Sequence, residues 1–195
     1  MPKLPIDVQQ AIKRQAPRLL KKDFKRLVEK DFRKLKRRMI AEFLENPITM
    51  EIMAGPSSPN LSGSLDGVTN LFAFIGFDQG EDPIAPILAR LEETHIQFSK
   101  LITASSSKMG MEFKITLPTA EEIFAITPLP WASGRSWAQG IERGLSGLGY
   151  LLRKNEGRSG AAIQSRVKVR GGKFKNTAYI SAFINKYRKK FQELK

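Results

Sequence analysis

Residues able to carry out chemistry are sparse in this chain. His95 is the sole histidine, and an imidazole acts as general base or acid only where a partner orients it within reach of a substrate proton. The sequence places no such partner, so His95 reads as a polar residue at a strand end. The carboxylate pairs Glu81/Asp82, Glu92/Glu93 and Glu121/Glu122 are neighbours along the chain. Their positions at the starts and ends of expected helices explain them, and none has the spacing of zinc or calcium ligands. There is no GxxxxGK[ST] stretch, no glycine run that follows an expected strand and opens a helix, and no cysteine. These residue types point to no catalytic centre, cofactor or metal.

What remains is charge. The net charge is +14, distributed as +8 over residues 1–45, −5 over 46–152 and +11 over 153–195. Basic ends around an acidic middle favour long-range attraction to an anionic surface, either nucleic acid or an acidic protein neighbour. They equally favour one subunit's arm lying on the acidic middle of the next. The candidate contact residues are Lys25, Arg26, Lys30, Arg33, Lys34 and Arg37 near the N-terminus, with Arg166, Lys168, Arg170, Lys173 and Lys175 near the C-terminus. Such groups could neutralise several phosphates without reading sequence. The nearby aromatics Phe24, Phe32, Phe174 and Tyr179 mostly fall on inward faces, where they are not free to stack on bases. A basic face that is simply solvated is the plain alternative.

The elements that must position these charges follow from periodicity. From about Ile6 to Glu45 the pattern is helical, with a break or kink expected near Pro17, and Pro47 ends the helix after Asn46. At 100° per residue, Leu20, Phe24, Leu27, Val28, Phe32, Leu35, Met39 and Phe43 share an arc of roughly 160°, a packing face. Lys22, Lys25, Arg26, Lys30, Arg33, Lys34, Lys36 and Arg37 cluster opposite. Residues 55–67, GPSSPNLSGSLDG, read as a loop. The apolar run Val68 to Phe77 fits a short buried strand or a tightly packed loop. Asp82-Pro83 opens a helix from Ile84 to Glu93.

His95 to Thr103 and Met111 to Leu117 read as an antiparallel hairpin. In the second strand Met111, Phe113, Ile115 and Leu117 alternate with Glu112, Lys114 and Thr116. Thr119 and Glu122 have capping-box spacing for a short helix through Ile126, which PLPW stops, and Ser136 caps a helix from Trp137. The glycines Gly140, Gly144, Gly147 and Gly149 call for a close backbone approach or a break, and we favour a break near Ser146 with a short helix to about Arg153. Trp131 and Trp137 are candidate interface anchors, with core packing the alternative for each. Ile163, Val167 and Val169 alternate with Gln164, Arg166, Lys168 and Arg170 as a basic strand, and Thr177 to Leu194 is an amphipathic helix with Ile180, Phe183, Ile184, Tyr187 and Phe191 inward.

With 195 residues, 41% of them hydrophobic, and twelve phenylalanines, the expectation is an α+β protein. Residues 1–152 form a main domain in which a long N-terminal amphipathic helix packs on a small antiparallel sheet, with further short helices. Residues 153–195 add a basic strand and a C-terminal helix on the same domain. The apolar run Leu71 to Ile75 falls far short of the roughly 20 residues of a membrane span. No signal-peptide core is evident, so a soluble protein of a reducing cytoplasm is expected.

The order of these features resembles a known family. A basic amphipathic helix, a loop ending in Asn60-Leu-Ser-Gly-Ser-Leu65, a compact region and a later helix are similar to the tail-completion or neck proteins of long-tailed bacteriophages. In that family a comparable helix precedes a Ser/Thr-Gly-x-Leu turn. The stretches SWAQGIERGLSGLGYLL and RSGAAIQSRVKVRGGKFKNTAYISAFINKY resemble segments of contractile-tailed phage virion proteins. Together the likeness covers residues 20–77 and 130–191. It implies a non-enzymatic virion subunit, assembled in the host cytoplasm, whose copies form a ring at the head–tail junction and contact other neck or tail proteins. The alternative is a basic protein making sequence-independent phosphate contacts with nucleic acid.

Overall fold

The computed structural model describes residues 5–65, 70–105, 108–143 and 178–194, with side chains described outside 7–20 and 101–110. The fold is mixed α+β. Helix α1 (Ile6–Leu44) is followed by α2 (Pro47–Met53), α3 (Leu71–Ile75) and α4 (Ala85–Glu92). Strands β1 (His95–Ser105) and β2 (Lys108–Thr116) form one antiparallel sheet, and β3 (Pro128–Leu129) pairs with β4 (Ala132–Ser136) in another. Helix α5 (Ala120–Ala125) lies between the two sheets in sequence, and α6 (Trp137–Arg143) and α7 (Ile180–Gln192) complete the order.

Helix α1 spans 39 residues, about 58 Å at about 1.5 Å per residue. It runs unbroken through Pro17, which corrects the first of the two expectations there, a break or a kink; a proline deletes only its own backbone donor, and the flanking turns hold the helix together. Val28, Phe32, Met39 and Phe43 are buried and Leu35 is half-buried, so the apolar stripe is a packing face. Leu27 is the exception. It lies at the edge of the stripe and is 54% exposed, because neighbouring elements cover a narrower arc than the pattern allowed.

Helix α7 runs antiparallel to the C-terminal half of α1. Phe32 meets Phe191 at 5.5 Å between ring centres, while Phe43 meets Phe183 at 5.7 Å and Tyr179 at 6.2 Å. All five expected inward residues of α7 are buried. Its first turn is held by Glu142 of α6, which accepts from the Ser181 backbone N–H and hydroxyl, each at 2.6 Å.

Several local signals are obeyed. Glu122 N–H donates to Thr119 Oγ1 and Thr119 N–H to Glu122 Oε2, each at 3.2 Å, which completes the capping box of α5. Asp82 Oδ1 accepts from Ile84 and Ala85 at the start of α4. Ser136 Oγ accepts from the Gln139 N–H at the start of α6. The β1–β2 register pairs His95 with Thr116 and Phe98 with Phe113; β1 runs on past Thr103 to Ser105, while β2 starts earlier, at Lys108, and ends at Thr116, one residue before the expected Leu117. The β2 alternation holds, with Met111 buried, Phe113 and Ile115 half-buried, and Glu112, Lys114 and Thr116 exposed.

Others are corrected. Helix α1 ends at Leu44, just before Asn46-Pro47 as expected, but Pro47 is also the first residue of a new helix, α2, with Asn46 Oδ1 accepting from Ile48 N–H at 3.0 Å. Proline suits that position because its missing donor would have no partner in the first turn. The run after the loop is neither strand nor loop at 71–75 but α3, capped by Asn70 Oδ1 at the Ala73 N–H and terminated by Gly76 at φ +88°. Asn70 and Gly76 supply the two cap chemistries that a short apolar run needs to close as a helix. Trp137 is 2% exposed and belongs to the core, and half-buried Trp131 packs against that core and donates from Nε1 to the Ile75 carbonyl at 2.7 Å. The expected break near Ser146, the helix to Arg153 and the basic strand lie outside the described residues.

Candidate functional site: the basic face of helix α1

Once the core face of α1 is fixed by packing, helical geometry sends Arg26, Lys30, Arg33, Lys34 and Arg37 to the opposite side. Taking Phe24 as origin, these five fall within an arc of about 100° at 100° per residue, and from Arg26 to Arg37 they extend roughly 17 Å along the axis. All five are exposed. Arg33 donates from Nε to the Glu29 carbonyl at 3.3 Å. Arg26, Lys30, Lys34 and Arg37 make no hydrogen bond or ion pair among the described residues. The face is therefore a row of cations along one side of the helix, with no counter-charge paired to it among the described residues.

Lys25 stands apart from that row. Its ammonium is 3.7 Å from Glu29 Oε1 and lies over the Phe98 ring of β1 at 5.2 Å from the centroid. It thus braces α1 against the sheet through a cation–π contact. Lys36, which the periodicity groups with the outward charges, is half-buried and donates to the carbonyls of Thr94, at 2.8 Å, and Glu92. Those carbonyls lie at, and just beyond, the C-terminal end of α4, where a cation is favoured. Arg166, Lys168, Arg170, Lys173 and Lys175 lie outside the described residues, as does Phe174.

The loop that carries Asn60-Leu-Ser-Gly-Ser-Leu65 is organised by two residues. Glu51 is fully buried and accepts from the backbone N–H groups of Ser62 and Leu71, each at 2.6 Å. Asn70 donates from Nδ2 to the carbonyls of Pro56, at 2.7 Å, and Ser58, at 2.8 Å. A carboxylate inside a protein is tolerable only when its lone pairs are taken up, and here one backbone donor within the loop and one at the start of α3 take them. Sequence reasoning passed over Glu51. Its signal was a lone acid within the apolar stretch ITMEIM. Met50, Met53 and Leu61 beside this clamp are exposed.

His95 is exposed at the start of β1. Its Nδ1 lies 2.8 Å from the Glu93 carbonyl and its Nε2 3.2 Å from Gln97 Nε2. Arg90 bridges Glu93 and Glu122, the latter at 3.0 Å. The guanidinium and the Thr119 N–H hold the Glu122 carboxyl below its ordinary range, the backbone bond contributing most. Among the described residues, no group of three or more His, Asp or Glu side chains could hold a metal ion. Nor is any helix among them long and apolar enough to cross a membrane.

No family model, curated protein or solved structure matches this chain. The functional reading rests on the chain's own geometry and on the order of its elements.

Proposed function

We propose that this chain is a structural virion subunit of a tailed bacteriophage, forming a ring at the neck or tail end that joins head and tail components. The observation that carries the reading is the one-sided basic face of α1. A 39-residue helix is anchored along one face by α7 and the β1–β2 sheet, while Arg26, Lys30, Lys34 and Arg37 find no partner within the chain's described residues. A rigid row of unused cations is suited to an anionic surface on a neighbouring copy or layer, where complementary charge speeds encounter and sets orientation. The clamped Asn60–Leu65 loop, which carries the turn on which the family resemblance rests, offers a second shaped surface.

Light scattering on the purified full chain, alone and mixed with candidate neck and tail proteins, tests this. Discrete multimers or stoichiometric co-assembly are expected, and replacing Arg26, Lys30, Lys34 and Arg37 with glutamate should abolish them. A chain that neither multimerises nor co-assembles would sink the reading. The same uncompensated face supports a second one, sequence-independent nucleic-acid binding. That reading predicts duplex DNA binding that weakens steeply with salt and indifferently to sequence, and it fails if DNA is not retained at low salt.

A further inference from the structure

The β1–β2 sheet has two strands, and therefore two outer edges whose backbone N–H and C=O groups have no strand partner among the described residues. Open edges invite pairing with another chain unless something spoils them. The edge of β1 is spoiled. Its pairing shifts between Phe98 and Leu101, so that Ser99 and Lys100 stand opposite Glu112 alone, and it shifts again between Thr103 and Ser105. Extra residues of this kind bend a strand and disrupt its ladder. The edge of β2 carries no extra residue along 111–116.

The side chains of β2 make that edge self-complementary. Exposed Glu112 and Lys114 flank Phe113, and neither side chain makes a hydrogen bond or ion pair among the described residues. On the opposite face Phe113 packs against Phe98 at 6.1 Å between centroids, and Lys25 of α1 covers Phe98. Phe113 and Ile115 are only half-buried, leaving apolar surface next to the open edge.

We propose that two copies of this chain pair antiparallel through their β2 edges about a two-fold axis at Phe113, merging two hairpins into one four-stranded sheet. In this register Glu112 stands opposite Lys114 of the partner subunit, and Lys114 opposite Glu112 of the partner subunit. Phe113 meets its own counterpart on the apolar face, with Met111 opposite Ile115 of the partner subunit. A row of four phenylalanine rings then crosses the sheet. Cross-strand neighbours of opposite charge and aromatic pairs are the contacts that stabilise antiparallel ladders. Any shift of register by one residue would place Glu112 and Lys114 on the face that carries Phe113. The contact is two-fold and closes on itself, so it is a resting form of the free chain and does not rest on the ring reading.

Sedimentation of the full chain over a concentration series should show a monomer–dimer equilibrium. Lys114→Glu sets two pairs of carboxylates against each other and should weaken the dimer about tenfold or more. The double exchange Glu112→Lys with Lys114→Glu should restore it. Because the natural chain has no cysteine, cross-linking gives an independent reading. Glu112→Cys and Lys114→Cys chains should each stay uncross-linked alone yet form a disulfide when mixed, since directly opposed residues lie within disulfide reach. A chain monomeric at every concentration, a dimer indifferent to Lys114→Glu, or Glu112→Cys cross-linking to itself would each overturn the pairing. Larger assemblies unchanged by Lys114→Glu would leave the ring reading standing and this one refuted.

Discussion

Helices α1 and α7 carry the basic charge described near the two ends of this chain, and they spend it differently. On α7, Lys186 and Tyr187 both donate to Glu42 of α1, the tyrosine at 2.6 Å, and Lys190 lies 3.9 Å from the same carboxylate and 4.7 Å over the Tyr187 ring. On α1, Arg26, Lys30, Lys34 and Arg37 have no such acceptor among the described residues. Composition alone makes the two helices alike. The difference is that Lys186 and Lys190 of α7 are seated beside an acid whereas these four cations of α1 face outward, so the first pair serves the fold and the second group is available for a partner.

The comparison can be strained from its strongest point downward. Both helices depend on the seam between them, so Phe43→Ala, which removes the ring packed against Tyr179 and Phe183, should cost about 3–5 kcal/mol. Chemical denaturation measures this, and a loss below about 1 kcal/mol would mean the seam does not hold α7 in place. Glu51→Gln comes next, at about 2 kcal/mol, because an amide nitrogen would then confront a backbone donor in a buried site. Amide exchange should show the Ser62 and Leu71 N–H groups losing protection in that variant.

Glu42→Gln should cost about 1 kcal/mol and change the pH dependence of stability. Hydrogen bonds from Lys186 and then Tyr187 hold the Glu42 carboxyl below its ordinary range, with burial opposing them. A depressed folded-state pKa contributes stability that is present above the unfolded value and lost as the pH falls through the folded one. The natural chain should therefore lose stability relative to Glu42→Gln on acidification below the ordinary carboxylate range, and parallel pH profiles would dismiss the clamp. Smallest of all, Lys30→Ala with Lys34→Ala should move stability by no more than about 0.5 kcal/mol, while Lys186→Ala should exceed that pair. Equal effects would erase the distinction between spent and available charge.

How much was legible follows from the range of each interaction. Thr119 with Glu122, and Asp82 with Pro83, act within a few residues, so their caps could be read directly. The α7 stripe and the β2 alternation were legible because a buried face imposes a strict period. Leu71 to Ile75 was not, since five apolar residues suit a strand as well as one helical turn, and the Asn70 and Gly76 caps were given no weight. Leu27 and Lys36 lie at the margins of their stripes, where what decides exposure is the width of whatever packs alongside. Within the candidate face, Arg26, Lys30, Arg33, Lys34 and Arg37 were legible as a group, whereas the diversion of Lys25 to Phe98 was not.

The sequence by itself determined the periods, the caps, the long basic helix and the charge division along the chain, because these depend on neighbours three or four residues away or on simple counting. Only the tertiary structure decided which charges are consumed. Glu42 meets Lys186 and Tyr187, Lys36 meets the end of α4, and Glu51 meets Ser62 and Leu71, through contacts between residues well apart in sequence that form only when the apolar faces have packed.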